Sequence, residues 1–250
     1  MSILPTELNT LQDQQLKEFI SLKSSHLFKN DKILIESHKV ISKAITCKVK
    51  IHKILTSKSL YQENVELFNN ANQIFCLPDK LINSIVGQSF HGGVMAICQR
   101  PKLNNLIPDQ PILVLNGVTS PENVGAIIRS AVGFNIKNIL LDSKSCHPHV
   151  KRAIRVSMGN VFFCHIETTD KLCQRLRQLQ SENYKILSFA NLEKSKSLNR
   201  FKFEKKSCLI IGSEGHGIEE SIFKISDHII KIDMNNEVQH FNAACATSIF

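Results

Sequence analysis

Arg129 and Asn123 stand six positions apart in the stretch LNGVTSPENVGAIIRSA, residues 115–131. A guanidinium offers a planar fork of donors that suits an oxyanion, and an amide beside a helix start can shape the turn around it. Two later stretches share that grammar. In CLIIGSEGHGIEE, residues 208–220, an apolar run ends in Gly212, Ser213, Glu214, Gly215, His216 and Gly217, glycines that let the backbone approach a ligand closely. In IIKIDMNNEVQHFNAACATSIF, residues 229–250, a second apolar run ends at Ile232 and a polar loop leads to Asn242 at the head of an alanine-rich segment. Each cluster also has an ordinary reading: a capped helix with an exposed arginine, a glycine-rich turn, and an asparagine cap. The glycine loop with Asp233 about twenty residues on admits dinucleotide binding, but its order is GxxGxG rather than GxGxxG, which misplaces the turn, pyrophosphate and packing roles.

The surrounding elements must hold these clusters in place. In the first, Ser120 suits the N-cap, Pro121 the first helical position, and Glu122 the positive end of the helix dipole. Val124, Ile127, Ile128 and Ala131 then form an apolar stripe at helical spacing. Asn123 and Arg129 fall on its polar flanks, roughly 120° and 9 Å apart by helix geometry. Because helical side chains lean toward the N-terminus, Arg129 is placed to reach back toward the turn.

Beyond residue 111 the chain alternates helical segments with short unalternating apolar runs: ILVL 112–115, NILL 138–141, VFFCHI 161–166, KILSFA 185–190, CLII 208–211 and HIIKI 228–232. Buried parallel strands with crossover helices read this way, so an open parallel α/β sheet is expected over 112–250, with ligands beyond the carboxyl ends of its strands. Residues 1–100 read as a separate small α/β unit: a helix over 11–30, strands at 32–36, 49–56 and within QIFCLP and GVMAICQRP, and helices over 38–47 and PDKLINSIVG. Residues 101–111, rich in proline and asparagine, are the expected linker.

Composition narrows the function classes. The chain has 250 residues, 42% of them hydrophobic, and no apolar run approaches the ~20 residues that span a bilayer. The N-terminus shows neither signal-peptide nor transit-peptide character, so a cytoplasmic location is expected. Eight cysteines are scattered without a CxxC pair, which argues against disulfides and a metal site. The net charge of +9 favours a polyanionic partner. Six lysines (39, 43, 48, 50, 53, 58) and no acid lie between Ser37 and Gln62, and KRAIR at 151–155 and EKSKSLNRFKFEKK at 193–206 add further basic runs.

In their order and spacing, NGVTSPENVGAIIRSA, LIIGSEGHGI and VQHFNAACA resemble the three signature motifs of the SpoU/TrmH family of RNA 2′-O-ribose methyltransferases, within the SPOUT superfamily. The resemblance runs over residues 110–250, and HVKRAIRVSMGNVFFCHI resembles the segment between the first and second motifs. KILIESHKVISKAI and FHGGVMAICQRP are more faintly similar to the family's small N-terminal substrate-binding domain, which itself resembles a ribosomal protein. The resemblance implies a homodimer whose parallel sheet ends in a trefoil knot holding S-adenosylmethionine. It implies Gly212, Ile232 and Phe241 as cofactor contacts, and Asn123, Arg129, Glu214 and Asn242 as polar active-site positions. RNA is the implied substrate, with ribosomal RNA favoured by the extra N-terminal domain and tRNA the alternative. In one departure, His240 stands where the family has a small hydroxyl residue; an imidazole there can serve as a proton acceptor or stand as a solvated loop residue. A non-catalytic RNA-binding protein keeping the same fold, and a nicotinamide-dependent oxidoreductase built on the glycine loop and Asp233, are the rival expectations.

Overall fold

The computed structural model describes residues 4–20, 25–85, 93–235 and 241–249. The chain divides into two compact units, residues 1–101 with 149–162, and residues 102–148 with 163–250. The first unit runs β1 (Thr6–Glu7), α1 (Lys17–Ile20), α2 (Ser25–Lys29), β2 (Lys32–Glu36), α3 (His38–Thr46), β3 (Ile51–Ser57), α4 (Lys58–Glu63), α5 (Val65–Phe68), β4 (Ala71–Leu77), α6 (Asp79–Ile85) and β5 (Val94–Gln99). Its sheet order is β1-β4-β3-β5-β2, with β1, β4 and β3 parallel and β5 antiparallel to both β3 and β2. Leu16, Phe19, Leu34, Leu55, Phe75 and Leu77 meet in one core cluster. Each such side chain contributes roughly 1.5–3 kcal/mol by leaving water.

The helix expected over 11–30 starts later than expected: residues 11–13 are not helical, Gln14–Leu16 form a 3-10 turn, and α-helix is present at Lys17–Ile20 and Ser25–Lys29, with residues 21–24 outside the described residues. Asp13 Oδ1 accepts from Gln15 N at 2.8 Å, which tightens the first turn.

The second unit begins with β6 (Ile112–Asn116), α7 (Pro121–Gly133) and β7 (Asn138–Asp142). The chain then supplies α8 (Lys151–Val156) to the first unit. It returns with β8 (His165–Thr169), α9 (Leu172–Ser181), β9 (Lys185–Phe189), β10 (Lys196–Ser197), β11 (Ser207–Gly212), α10 (Glu220–Phe223), β12 (His228–Lys231) and α11 (Ala243–Ile249). The sheet order is β10-β12-β9-β11-β6-β7-β8 and every neighbouring pair is parallel. The expected parallel α/β sheet is therefore present. Strand order reverses between β6 and β11, which places the loops after these two strands side by side, with Gly212 paired against Asn116. A crevice at such a switch point is where open α/β sheets bind ligands.

Two boundaries differ from the sequence reading. The run VFFCHI does not form a strand along its length: residues Asn160–Phe163 make a 3-10 turn and the strand starts at His165. Met158 and Gly159 there take positive φ values of 54° and 75°, and Phe162 N bonds Gly159 O at 3.2 Å, a turn geometry that a strand does not permit. Residues 101–111, expected as the linker, follow the division between the units at Pro101 and are tied within the second unit. Asn104 N bonds Ile166 O at 3.0 Å, and the fully buried Asn138 clasps Ile107 through both its amide atoms, at 2.9 and 2.8 Å.

Residues 149–162 belong with the first unit, although expected within the second. Lys151 Nζ lies 2.6 Å from the buried carboxylate of Glu36. Lys43 Nζ donates to Met158 O at 2.9 Å and also to Asn160 Oδ1. A Cβ on Gly159 would meet the Val40 backbone at 3.3 Å, so this approach suits glycine doubly, by φ and by space. No helix among the described residues is long and apolar enough to cross a membrane.

Candidate active site

Beneath the switch point lies a polar network that composition and spacing gave no reason to single out. Asp142, at the end of β7 and 6% exposed, accepts from Asn116 Nδ2 at 3.0 Å and Gly117 N at 2.8 Å through one oxygen. Its other oxygen accepts from Ser145 N at 2.8 Å and Ser145 Oγ at 2.6 Å. Asn116 Oδ1 in turn accepts from Glu219 N at 2.9 Å, so one buried amide joins the loop after β6 to the far end of the loop after β11. Lys144 closes the surface of this network on Glu219 at 2.6 Å, and its hydrogen bond holds the Glu219 carboxyl below the usual range.

From Gly117, whose φ of 68° turns the chain, the backbone reaches Ser120. Its Oγ accepts from Asn123 N at 3.2 Å, and Pro121 occupies the first helical position of α7, the expected cap. Asn123 is buried rather than set on a solvated flank. Its Oδ1 accepts from Asn242 Nδ2 at 3.1 Å. The same Asn242 amide donates to Glu214 Oε1, while Asn242 Oδ1 accepts from Ala244 N at 2.9 Å and caps α11. Asn242 is thus both the cap its position suggested and the hub of a three-residue cluster. The parallel course of α7 and α11 is fixed at their far ends by Ser130 Oγ and Ser248 Oγ, 2.7 Å apart.

The loop after β11 folds back on itself. Ser213 N and Gly217 O are 3.1 Å apart, Gly217 N and Ser213 O 2.9 Å apart, and His216 N bonds Ser213 Oγ at 3.1 Å. A Cβ at Gly212 would lie 2.3 Å from the Gly217 carbonyl carbon, so the fold of this loop requires glycine there. This loop forms one wall of a cleft of about 400 Å³. Gly212, Ile232 and Phe241 line it, as do Phe189 at the end of β9, Ala190 to Leu192 after it, and Met234. The β9 loop was not singled out from the sequence, although KILSFA ends a parallel strand next to the glycine loop and the rule of ligands at carboxyl ends points there.

Arg129 is exposed on α7 and forms no hydrogen bond or ion pair among the described residues, which leaves its guanidinium free for an anion. His240 lies outside the described residues. Among the described residues, no group of three or more His, Cys, Asp or Glu side chains is placed to hold a metal ion.

The arrangement joins a mainly apolar cleft to a cluster of two amides and a carboxylate, with a free arginine on the helix that bears one of the amides. The chain's likenesses agree with that picture. Residues 110–250 match the model of the SpoU rRNA Methylase family. An uncharacterized tRNA/rRNA methyltransferase of Mycobacterium bovis is 25% identical over 172 residues, 66% of this chain and 60% of that protein. The 23S rRNA (guanosine-2′-O-)-methyltransferase RlmB of Escherichia coli K12 is 30% identical over 142 residues, 56% of this chain and 58% of that one. The chain therefore spans about three fifths of the length of these curated relatives. Among solved structures, the AdoMet-bound rRNA methyltransferase from Sinorhizobium meliloti superposes with a TM-score of 0.83 at 19% identity, covering 98% of this chain and 95% of that one. At that identity the likeness establishes the fold.

Proposed function

Because the chain belongs to the SpoU rRNA methylase family, we propose that it transfers a methyl group from S-adenosylmethionine to a ribose 2′-hydroxyl of structured RNA, with ribosomal RNA the favoured substrate and tRNA the alternative. The observation that carries this reading is the Asn123–Asn242–Glu214 cluster, assembled from three separate stretches beside the cleft. The cleft's chemistry fits the cofactor. Backbone groups of residues 212–218 offer donors and acceptors for a nucleoside and an amino-acid moiety, while Ile232, Met234 and Phe241 offer apolar surface for a base. When bound, S-adenosylmethionine supplies an electrophilic methyl carried on a sulfonium.

The chain's own groups do the rest. In-line methyl transfer requires the hydroxyl to be aligned at near-contact distance and to lose its proton. Arg129 holds the phosphate beside the target ribose; a guanidinium keeps its proton, so it acts as a clamp and not as a base. Asn242 orients Glu214 and Asn123 through one amide, which sets the loop against the nucleotide. The proton leaves to phosphate, to water, or to His240.

The finer architecture belongs to the same proposal. A trefoil-knotted closure of the sheet is supported by the return of the chain from β12 to α11 alongside α7. A homodimer is supported by Phe134 and Ile249, 66% and 48% exposed at the shared far end of the α7–α11 pair. The first unit serves as an RNA-binding domain: Lys39, Lys48 and Lys50 are exposed without partners among the described residues, whereas Lys43, Lys53 and Lys58 are committed to Asn160, Glu18 and Glu7.

The test is methylation of ribosomal and transfer RNA by the purified protein with labelled S-adenosylmethionine, the product mapped as alkali-resistant 2′-O-methyl linkages. Asn242→Ala is expected to lower turnover at least a hundredfold. Arg129→Lys is expected to lower kcat/KM at least tenfold, since lysine presents a point charge in place of a fork. Near-normal turnover of Arg129→Lys would remove the clamp from the mechanism, and a protein that binds no S-adenosylmethionine would remove the activity.

A further inference from the structure

The basic stretch 193–206, left unused by the methyl-transfer site, lies at the edge of the seven-stranded sheet, and its Phe201 and Phe203 join His228 and Phe189 in a chain of ring contacts. His228 meets Phe201 at 5.3 Å between centroids and 69° between planes. Phe201 meets Phe203 at 5.2 Å and 71°. Phe203 reaches Phe189 at 6.5 Å and 46°. Phe189 lines the cleft, so the row leads from the sheet edge to its rim. A row of phenylalanines built only for packing would be buried, yet Phe203 is 40% exposed.

The charges beside it are dense and mostly unneutralised, whereas Lys58, Lys144 and Lys224 elsewhere pair with Glu7, Glu219 and Glu220. Within 193–206 there are six cations against two carboxylates. Only Lys206 forms an ion pair, with Asp109, while Lys194, Lys196, Arg200, Lys202 and Lys205 have no carboxylate partner among the described residues. Lys196 Nζ instead lies 3.1 Å from His228 Nδ1, which sets a cation at the outer end of the aromatic row.

An exposed ring backed by partly exposed ones and set among unneutralised cations is a composition that binds single-stranded nucleic acid, a base stacking on the π-face while cations track phosphates. From this we infer that the β10 edge, centred on Phe203, is a docking ridge for an unpaired RNA segment next to the cleft. The inference rests on the reading of the protein as an RNA methyltransferase and adds the single-stranded character and the location of one substrate contact. Duplex RNA keeps its bases stacked inside and offers no face to Phe203.

The experiment measures binding of an unstructured oligouridylate of about 12 nucleotides, and of a duplex of equal length, to the full chain and three variants. Phe203→Ala and Phe203→Leu, the second keeping the apolar bulk without a π-face, are each expected to weaken oligouridylate binding about tenfold and to leave duplex binding within twofold. The triple variant K194Q/K202Q/K205Q is expected to flatten the slope of log K against log salt by about 2, at ~0.7 per phosphate contact on a single strand. S-adenosylmethionine affinity serves as the internal control and is expected to stay within twofold throughout. Wild-type affinity for oligouridylate in Phe203→Leu, equal losses on duplex and single strand, or no oligouridylate binding by the wild type would each overturn the ridge. The two readings fail separately: a protein that methylates RNA with an inert Phe203 loses only the ridge, and one that binds oligouridylate through Phe203 without binding S-adenosylmethionine loses only the methyl transfer.

Discussion

Replacing Asp142 by asparagine changes almost no volume and tests the network under the candidate site. The carboxylate accepts four hydrogen bonds, two on each oxygen, from Asn116, Gly117 and both donors of Ser145. An asparagine keeps one oxygen and turns the other into an amino group. Facing Asn116 and Gly117, the amino group meets two donors; facing Ser145, it meets the backbone N–H and a hydroxyl that must give up its donated bond. Leaving buried donors unsatisfied costs ~1–3 kcal/mol each, so a loss of about 3 kcal/mol is expected. At ~2–4 °C per kcal/mol for a chain of this size, the melting temperature at neutral pH should fall by about 6–12 °C. The assay is circular-dichroism melting of Asp142→Asn beside wild type. Because Asn116 also accepts from Glu219 N, Asp142→Asn should further weaken S-adenosylmethionine binding without touching the cleft. A melting temperature within 2 °C of wild type, against the ~6 °C minimum, would refute the claim that one carboxylate organises both loops.

Gly212→Ala should abolish S-adenosylmethionine binding in calorimetry, because its Cβ falls 2.3 Å from the Gly217 backbone and the loop must reopen; retained affinity would show that the loop does not form the binding wall. The carboxyl of Glu18 is held below its usual range, chiefly by the hydrogen bond from Lys53 at 2.6 Å and then by Lys32. A depressed folded pKa stabilises above the unfolded value of ~4.3 and ceases to do so as pH falls through the lower folded value. The urea midpoints of wild type and Glu18→Gln should therefore differ near pH 6 and converge near pH 3, whereas a constant gap would contradict the ion pair. Burial pushes the Cys76 thiol up to about 11 and raises those of Cys98 and Cys208 still further, while Cys245 is exposed. Native labelling at pH 8, read by mass spectrometry, should mark Cys245 first, and equal rates at the three buried thiols would contradict their placement.

What the residues reveal by themselves follows from how local the determining interaction is. ILVL, NILL and CLII announce buried parallel strands, because both faces of each are covered and no polar alternation survives. The three motif stretches are legible because each sits at a strand end and retains its own cap or glycine turn. Asp142 escapes notice because a lone acid after an apolar run looks like any turn residue; its bonds to Asn116 and Gly117 become visible only when β6 and β7 lie side by side. Asn123 is read as flanking the apolar stripe for a similar reason. Nothing within α7 foretells that Asn242, far along the chain, arrives to bury it. The helix expected over 11–30 shows the opposite error, a helical composition whose first turn is diverted by the cap at Asp13.

The placement of residues 149–162 bears on the order in which the protein is made. The first unit's initial 101 residues leave the ribosome well before its last piece, 61 residues later at residue 162. At ~5–20 residues per second, that is a wait of roughly 3–12 s. During it Glu36 has no Lys151 to neutralise it and Val40 no Gly159 to cover it. The nascent N-terminal region must then stay incomplete while β6, α7 and β7 emerge, so the two units mature as interleaved products of synthesis rather than one after the other.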